Sequence, residues 1–258
     1  MIRSLWVTLV AGVCTVVIGP LAIVGAYLGF PRGFFDRMAR TWCRSVLWAA
    51  ATPVRISGLE HISLDHPQII ASNHQSMFDV FALAAFVPVQ YHFLVKKELL
   101  RVPLWGQAVR SMGHVFIDRQ NRASAVESLK AAGRKIRDEK SSAIVFPEGT
   151  RSQTGELQPF KKGPFVMAIE SGVPVVPTVV DGTLHILPKR GLRIQPHAIT
   201  IWFGEPVDSR LYTHEKRDAL IVRVHAQMAD MLAELRAKPG YSGPRRLTAE
   251  SALVESGA

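Results

Sequence analysis

The chain has 258 residues and a formal net charge of +10, and 48% of its residues are hydrophobic. This length suits one α/β domain with an appendage, and the apolar content together with the positive charge favours contact with an anionic membrane. Nucleic acid is disfavoured as a partner, because no basic run with interleaved aromatic residues occurs. The two cysteines, Cys14 and Cys43, have neither metal-ligand spacing nor a plausible disulfide framework.

The N-terminal segment from Ser4 to Phe30 carries no charged residue and is long enough to cross a bilayer. Gly19-Pro20 interrupts its middle, so a kinked span and a hairpin or re-entrant segment in one leaflet both remain open. Four arginines follow the segment and one precedes it, which places the next domain in the cytoplasm if the segment spans. Because the four arginines lie among aromatic residues at helical spacing, residues 32–48 form either an interfacial helix or a helix packed on the domain.

Beyond this region, apolar runs alternate between strand and helix lengths. Strands are predicted at residues 54–58, 68–72, 91–95, 115–117, 143–146, 173–180 and 199–203. Helices are predicted up to about residue 86 and at about 103–112, 123–140, 164–171 and 215–237. The alternation indicates an α/β fold with a mixed, largely parallel sheet flanked by helices. The predicted units are an N-terminal membrane-anchoring helical segment (1–50), a catalytic domain (51–237) and a disordered tail (238–258).

The polar run NHQSMFD, residues 73–79, lies between the second predicted strand and the next helix. Chemistry in α/β proteins is commonly placed at such a junction. In an ideal helix His74 and Asp79 would point about 140° apart, so they cannot both lie in mid-helix and face each other. They can meet if His74 stands on the turn, Ser72 or Asn73 caps the helix, and Asp79 lies in its early turns. Such a pair is a base with its orienting carboxylate.

The spacing of this pair is weak support by itself. His225 and Asp230 have the same spacing, but they fall inside the last predicted helix, where they point about 140° apart. We interpret that second pair as two solvated helix residues. The position of His74 and Asp79 at a strand end therefore carries the prediction.

Other predicted strands also end in charged residues. These are Lys96, Lys97, Arg119, Glu148 and Arg151. Because strand ends of an open α/β sheet converge on one crevice, a base, several cations and a further carboxylate would share a site. The cations suit a phosphate group.

Four ordered segments carry a family resemblance: NHQSMFD (73–79), GHVFIDR (113–119), FPEGTRS (146–152) and VPVVP (173–177). They resemble the four motifs of the glycerolipid acyltransferase family, most closely those of its bacterial 1-acylglycerol-3-phosphate acyltransferases. The linking segments KKEL (96–99) and FKKG (160–163) are similar as well.

The resemblance implies transfer of a fatty acyl group from acyl-CoA or acyl carrier protein to the sn-2 hydroxyl of lysophosphatidate, giving phosphatidate for phospholipid biosynthesis. It implies that His74 is the general base and that Asp79 holds its tautomer. The implied partners are a membrane lipid, the lysophospholipid acceptor and the acyl donor, and no metal or cofactor is implied.

The resemblance also implies a set of residues that bind the glycerol phosphate or other substrate charge. They are Lys96, Lys97, Arg119, Glu148, Gly149, Thr150 and Arg151. Ser76 is not expected to be a nucleophile, because the sequence has no G-x-S-x-G elbow.

Two alternatives stay open. The acceptor could be another lysolipid, such as lyso-ornithine lipid, with the same chemistry. A protein of another class, a non-catalytic membrane tether or lipid-binding module, would bind anionic lipid through its basic face. That alternative gives no reason for His74 and Asp79 to stand together at a strand end.

Overall fold

The computed structural model describes residues 1–118, 122–238 and 241. In these residues the strands are β1 (Val54–Ser57), β2 (Ile69–Ser72), β3 (Tyr91–Lys96), β4 (Val115–Ile117), β5 (Ser142–Val145), β6 (Val175–Asp181) and β7 (Ile199–Phe203). They form one sheet in the order β1-β7-β6-β2-β5-β3-β4. Every neighbouring pair is parallel except β6 with β7. The predicted mixed, largely parallel sheet is confirmed.

Helices cover both faces of this sheet. They are α1 (Ile2–Tyr27), α2 (Arg32–Ala49), α3 (Met77–Phe86), α4 (Trp105–Ser111), α5 (Arg122–Asp138), α6 (Gly163–Ser171), α7 (Thr183–Ile186) and α8 (Arg217–Ala237). Neighbouring residues of β2 point to opposite faces, so Ile70 packs with α2 and α3 while Ile69 packs with α5, α6 and α8. Burial on both faces explains why the central strands β2, β5 and β6 have largely apolar sequences.

The N-terminal apolar segment forms one unbroken helix. Pro20 lies inside α1, so the segment does not fold back at Gly19-Pro20 as a hairpin would require. Among the described residues, α1 alone is long and apolar enough to cross a membrane, judged by length and composition. One face of α1 packs on the protein through small residues, since a Cβ added at Gly19 would lie 3.0 Å from Leu104 Cγ and one at Gly25 would lie 2.9 Å from Phe34 Cε1.

The second helix packs on the domain. In α2, Phe35, Cys43, Val46 and Leu47 are buried, and the last three belong to the core cluster that includes α3. The Arg40 guanidinium donates to backbone carbonyls of the α3–β3 connection. The structure shows this arginine-rich helix packed on the domain, and its contact with a membrane interface stays a prediction.

Two predictions fall partly or wholly outside the described residues. The first is the predicted contact of Arg119 with substrate, since Arg119 is not among the described residues. The predicted tail is the other, of which the structure describes Lys238, at the end of α8, and Tyr241, whose hydroxyl donates to Asp181 Oδ2 at 2.6 Å.

Candidate active site

The predicted site lies at one edge of the sheet. Because β2, β3, β4, β5 and β6 are mutually parallel, their carboxyl ends meet there. The turn between β2 and α3, which carries His74, therefore lies beside the loop that follows β5 and the connection that follows β6. These three segments build the site.

His74 and Asp79 are in direct contact. The distance from His74 Nδ1 to Asp79 Oδ2 is 2.8 Å, and Asp79 is fully buried while the histidine side chain is 16% exposed. Because a carboxylate only accepts, Nδ1 carries the hydrogen and Nε2 is left with a lone pair. The geometry predicted for a base and its orienting carboxylate is present.

Asp79 is held by three further donors. Its Oδ2 accepts the backbone N–H groups of Gln75 at 2.6 Å and Ser76 at 2.8 Å, and its Oδ1 accepts the hydroxyl of Thr183. A buried carboxylate needs such partners to remain charged in a low-dielectric interior. The four hydrogen bonds keep Asp79 fixed beneath the imidazole of His74.

The residue that caps α3 differs from the prediction. Ser76 is the N-cap and forms a capping box with Asp79, whereas the prediction named Ser72 or Asn73. Asn73 instead joins β2 to β6, because its side chain donates to Val180 O at 2.9 Å and accepts from Val180 N at 2.8 Å. The chain can turn after β2 because these strand-end groups are satisfied across the sheet rather than by the helix.

The Ser76 hydroxyl takes part in two structural hydrogen bonds, and that Ser76 is not a nucleophile stays a prediction. Its hydroxyl donates to Leu187 O at 2.7 Å and accepts from Phe78 N at 3.3 Å. The hydrogen bond from Phe78 N caps α3, and the one to Leu187 O joins the cap to the connection after β6.

The loop after β5 holds the backbone of His74 on both sides. Glu148 Oε1 accepts the His74 N–H at 2.8 Å, and Ser152 N donates to His74 O at 2.7 Å. The Glu148 carboxylate also accepts from Gln158 N at 3.2 Å and from Gln158 Nε2 at 2.9 Å. Burial raises the pKa of Glu148 from 4.5 to about 7, although these hydrogen bonds favour its charged form. Glu148 therefore holds the turn that carries His74, and its predicted contact with substrate stays a prediction.

Phe146 fixes the plane of the imidazole. The His74 and Phe146 rings are stacked, with centroids 4.1 Å apart and planes at 20°. Side-chain rotation of His74 is therefore limited by a ring contact on one side and by Asp79 at Nδ1.

A cavity of about 640 Å³ opens beside His74. Its body is apolar and lies between α1, α2, α3 and α4, where it is lined by Ile18, Trp42, Phe81, Val109 and Met112, among other residues. Its polar end is lined by His74, Lys96, Gly149, Thr150, Arg151 and Lys189. One end of the cavity therefore suits an anionic head group, and the remainder suits a hydrocarbon chain.

The other predicted binding residues are placed differently. Lys97 lies outside this lining, with its Nζ 3.6 Å from Asp118 Oδ2. Lys96, the last residue of β3, therefore diverges from Lys97, since Lys96 lines the cavity and also contacts Glu98 at 3.1 Å. Arg119 lies outside the described residues. The substrate contacts of all these side chains stay predictions.

Sequence reasoning missed two groups that the fold brings to the site. Thr183 begins α7 directly after β6, and Lys189 follows in the next loop, where its Nζ lies 2.9 Å from Thr150 Oγ1. Neither residue belongs to a recognisable motif. The available signal was topological, since β6 neighbours β2 and its end must lie near His74.

The second His-x4-Asp pair behaves as a helix-surface feature. Asp230 is exposed on α8, and the His225 ring packs edge-on against Phe160 at 4.8 Å between centroids. His225 therefore serves as an internal control for the spacing of the first pair.

Comparison with known proteins gives a consistent result. The family model described as "Acyltransferase" matches residues 53–181. A 1-acyl-sn-glycerol-3-phosphate acyltransferase of Cocos nucifera is 35% identical over 208 residues, which are 81% of this chain and 67% of that protein. Proteins of the same name from Limnanthes douglasii and Saccharomyces cerevisiae are 38% and 34% identical, and the matches cover 70% and 73% of this chain and 63% of each relative. This chain thus spans about two thirds of the length of these relatives.

A solved structure is similar over nearly the whole chain. The crystal structure of the 1-acyl-sn-glycerophosphate (LPA) acyltransferase PlsC from Thermotoga maritima superposes with a TM-score of 0.81 at 27% identity. The match covers 93% of this chain and 97% of that one.

Proposed function

Because the chain belongs to the acyltransferase family, we propose that it transfers a fatty acyl group from an acyl thioester to the sn-2 hydroxyl of lysophosphatidate, giving phosphatidate. One observation carries this proposal. A histidine whose Nδ1 is bound by a buried carboxylate lies where the polar end of the cavity meets its apolar body. An acceptor with a phosphate and a donor with an acyl chain would meet at this boundary.

In the proposed reaction, His74 Nε2 removes the proton of the acceptor hydroxyl as the oxygen attacks the thioester carbonyl. The tetrahedral intermediate collapses, the carbon–sulfur bond breaks, and the imidazolium returns the proton to the leaving thiolate. Asp79 keeps the Nδ1–H tautomer and stabilises the imidazolium by its charge. No acyl-enzyme is needed, since the acceptor oxygen itself is the nucleophile.

The acceptor phosphate is proposed to bind at the cationic end of the cavity. Arg151 offers a bidentate fork and Lys96 adds a point charge, and both line the cavity beside His74. Lys189 is a further cation at this end, held against Thr150. Arg119 and Gly149 remain proposed members of the same site.

The acyl donor is proposed to be acyl-CoA or acyl carrier protein, with its chain in the apolar body of the cavity. Neither a metal nor an organic cofactor takes part in the proposed reaction, because acyl transfer from a thioester needs a base and a site for the oxyanion.

We propose that the protein acts at the inner membrane with its catalytic domain on the cytoplasmic side. The exposed apolar face of α1 and the arginines that follow it support this location. Because α1 packs on the domain from Val7 to Gly25, the helix cannot extend away from the domain into the bilayer along this length. That packing favours insertion into one leaflet over a span.

The test is an acceptor panel with the full-length protein in phospholipid vesicles. Lysophosphatidate, lyso-ornithine lipid and lysophosphatidylcholine are each offered with acyl-CoA and with acyl carrier protein as donor, and products are measured by mass spectrometry. The proposal expects phosphatidate as the fastest product. Faster acylation of another lysolipid would change the proposed acceptor, and no product from any pair would favour the non-catalytic tether.

A further inference from the structure

The loop between α7 and β7 carries an exposed leucine between two exposed arginines. Leu192 is 90% exposed, and Arg190 and Arg193 flank it in the segment from Pro188 to Gln195. A single exposed leucine is ordinary on a protein surface and needs no explanation. The position of Leu192 in the fold, however, calls for an explanation.

The loop is a fixed protrusion beside the first turn of α1. Two hydrogen bonds hold its backbone: Ile194 N donates to Ser4 Oγ at 2.9 Å, and Gln195 N donates to Ile186 O at 3.0 Å. The turn inside it is closed by Gly191 N donating to Pro188 O at 2.9 Å. These bonds present Leu192 at the same end of the molecule as the first turn of α1.

The neighbouring surface is apolar and aromatic. Leu5 and Trp6 follow Ser4 on α1 and are 70% and 45% exposed. Trp6 packs edge-on against Trp48, which is 71% exposed, with ring centroids 6.2 Å apart. Tryptophan is enriched at the head-group level of membranes, and cations flanking an apolar side chain suit the same depth.

We propose that the 188–195 loop is a second membrane-binding element, in which Leu192 enters the acyl region and Arg190 and Arg193 bind head-group phosphates of anionic phospholipids. The membrane surface would then contact the protein at α1 and at this loop, which fixes its orientation as well as its attachment.

This contact would place the reaction site at the membrane surface. Lys189 precedes Arg190 in the same loop and lines the polar end of the cavity. A loop seated on the head groups would bring that end to the plane from which a lysolipid acceptor leaves the bilayer. This consequence for turnover rests on the proposed function, whereas the membrane contact itself does not.

The chain offers a matched control on the opposite edge of the sheet. Leu211 is 77% exposed and follows an exposed arginine, Arg210. It lies near the amino end of β6, because β7 runs antiparallel to β6 and Val207 pairs with Val175. Arg210 is already paired with Asp208 at 2.8 Å, so this site lacks the unbalanced charge of the 188–195 loop.

The first experiment measures contact directly with full-length protein bound to vesicles. An environment-sensitive fluorophore is attached to Leu192→Cys, or to Leu211→Cys as control, in a Cys14→Ala background. Cys43 is buried and its thiol pKa is raised to about 12 by burial, so it should not react. The expected result is a blue shift at position 192 with vesicles containing phosphatidylglycerol, a smaller one with phosphatidylcholine alone, and none at position 211. Equal emission at positions 192 and 211 would overturn the proposal.

The second experiment measures turnover with acyl-CoA as donor. Leu192→Glu and the double variant Arg190→Gln/Arg193→Gln should both raise the apparent KM for lysophosphatidate presented in anionic vesicles. For the double variant the rise should be roughly fivefold for each arginine lost. Their kcat with a short-chain, water-soluble lysophosphatidate should match the wild type. Leu211→Glu should change neither value.

The outcomes separate the loop from the proposed function. A wild-type protein without transfer activity would contradict the proposed function and leave the fluorescence result to judge the loop. An active wild type with unchanged variants would overturn the role in turnover. If the arginine variants lost activity only with acyl carrier protein as donor, on soluble and vesicular acceptors alike, the loop would be a surface for an acidic protein and the membrane proposal would be wrong.

Discussion

At the scale of single residues, two carboxylates divide the support of His74 between them. Asp79 holds the imidazole through Nδ1, and Glu148 holds the backbone N–H of the same residue. Phe146 adds a stacked ring on one side. The backbone and the imidazole of His74 are therefore both held in place, which is the arrangement that the proposed general base would need to meet a substrate hydroxyl without reorganisation.

Replacing His74 by alanine should lower kcat by about 10²- to 10⁴-fold, because the acceptor hydroxyl loses its base. The rate is measured with vesicular acceptor, and folding is checked by circular dichroism. His225→Ala is the matched control, since it removes a histidine with the same spacing to an aspartate and should leave kcat unchanged. A His74→Ala protein with full activity would contradict the proposed mechanism.

Thr183→Val should lower kcat by about tenfold while leaving KM for both substrates near the wild-type value. The change removes the hydroxyl that donates to Asp79 Oδ1, and a hydrogen bond to a charged group contributes about 1.5 kcal/mol or more. Thr183→Ser keeps the hydroxyl and should restore most of the rate. Equal kcat in the valine and serine variants would show that the hydroxyl does not support the aspartate.

Glu148 should make stability depend on pH. Its pKa is raised from 4.5 to about 7 in the folded protein, so between these values the folded state binds a proton that the unfolded chain releases. The contribution of this proton to the free energy of unfolding is complete below about pH 4.5 and is lost as the pH rises through 7. Thermal unfolding of wild type and Glu148→Gln from pH 5 to 8 should show the wild-type midpoint falling relative to the variant. Parallel midpoints would contradict the raised pKa.

At the scale of elements, the middle of the sheet was predictable because β2, β5 and β6 are buried on both faces. The apolar runs around Ile70, Ile144 and Val176 have no polar alternation, as parallel central strands require. The spacing of strand ends also placed His74, Lys96 and Arg151 at one edge. These inferences depend on local sequence and on a general property of parallel sheets.

Features set by distant contacts were not predictable. The cap of α3 was predicted at Ser72 or Asn73 and lies at Ser76, because the Asn73 side chain is hydrogen-bonded to Val180 on a strand that is remote in the sequence. Lys97 diverges from Lys96 where the short helical turn after β3 begins, and the KKEL segment (96–99) does not by itself reveal that turn. The helix α1 continues through Pro20 and packs against Phe34 of α2 and against Leu104, contacts that the local sequence does not reveal.

The arginines of α2 differ in function according to what they face. Arg40 donates to Val87 O and, at 2.9 Å, to Val89 O, whereas Arg37 is exposed. Arg40→Gln should lower the free energy of unfolding by about 1–3 kcal/mol, since it frees two carbonyls at the α3–β3 connection. Arg37→Gln, on the same helix, should change it little. Denaturant unfolding compares the two, and equal losses would mean that the carbonyl contacts do not fix α2 to the domain.

At the scale of the whole molecule, α1 has two faces with separate tasks. Gly19 lies on the packed face and lines the cavity, while Leu9, Val13 and Val16 are more than half exposed on the other face. Deletion of residues 1–31 would therefore remove a wall of the cavity together with the membrane contact. Substitutions on the exposed face separate the two effects.

A triple variant, Leu9→Glu, Val13→Glu and Val16→Glu, should release the protein from vesicles in a flotation assay. The apolar face would become charged, while the packed face of α1 would be unchanged. The thermal midpoint in detergent should stay within a few degrees of wild type. Val222→Glu, at a 66% exposed valine of α8, is the control and should float as the wild type does. Flotation of the triple variant would place the anchor elsewhere.

The long sequence separations within the site have a consequence for biosynthesis. Glu148 bonds a residue 74 positions earlier, and Thr183 bonds one 104 positions earlier. During translation, which adds about 5–20 residues per second, Asp79 is therefore synthesised several seconds before Thr183. If His74 is the base that we propose, its support is incomplete until Glu148 and Thr183 have been synthesised and have reached the turn after β2, so the proposed acyl transfer would have to wait for the chain up to α7.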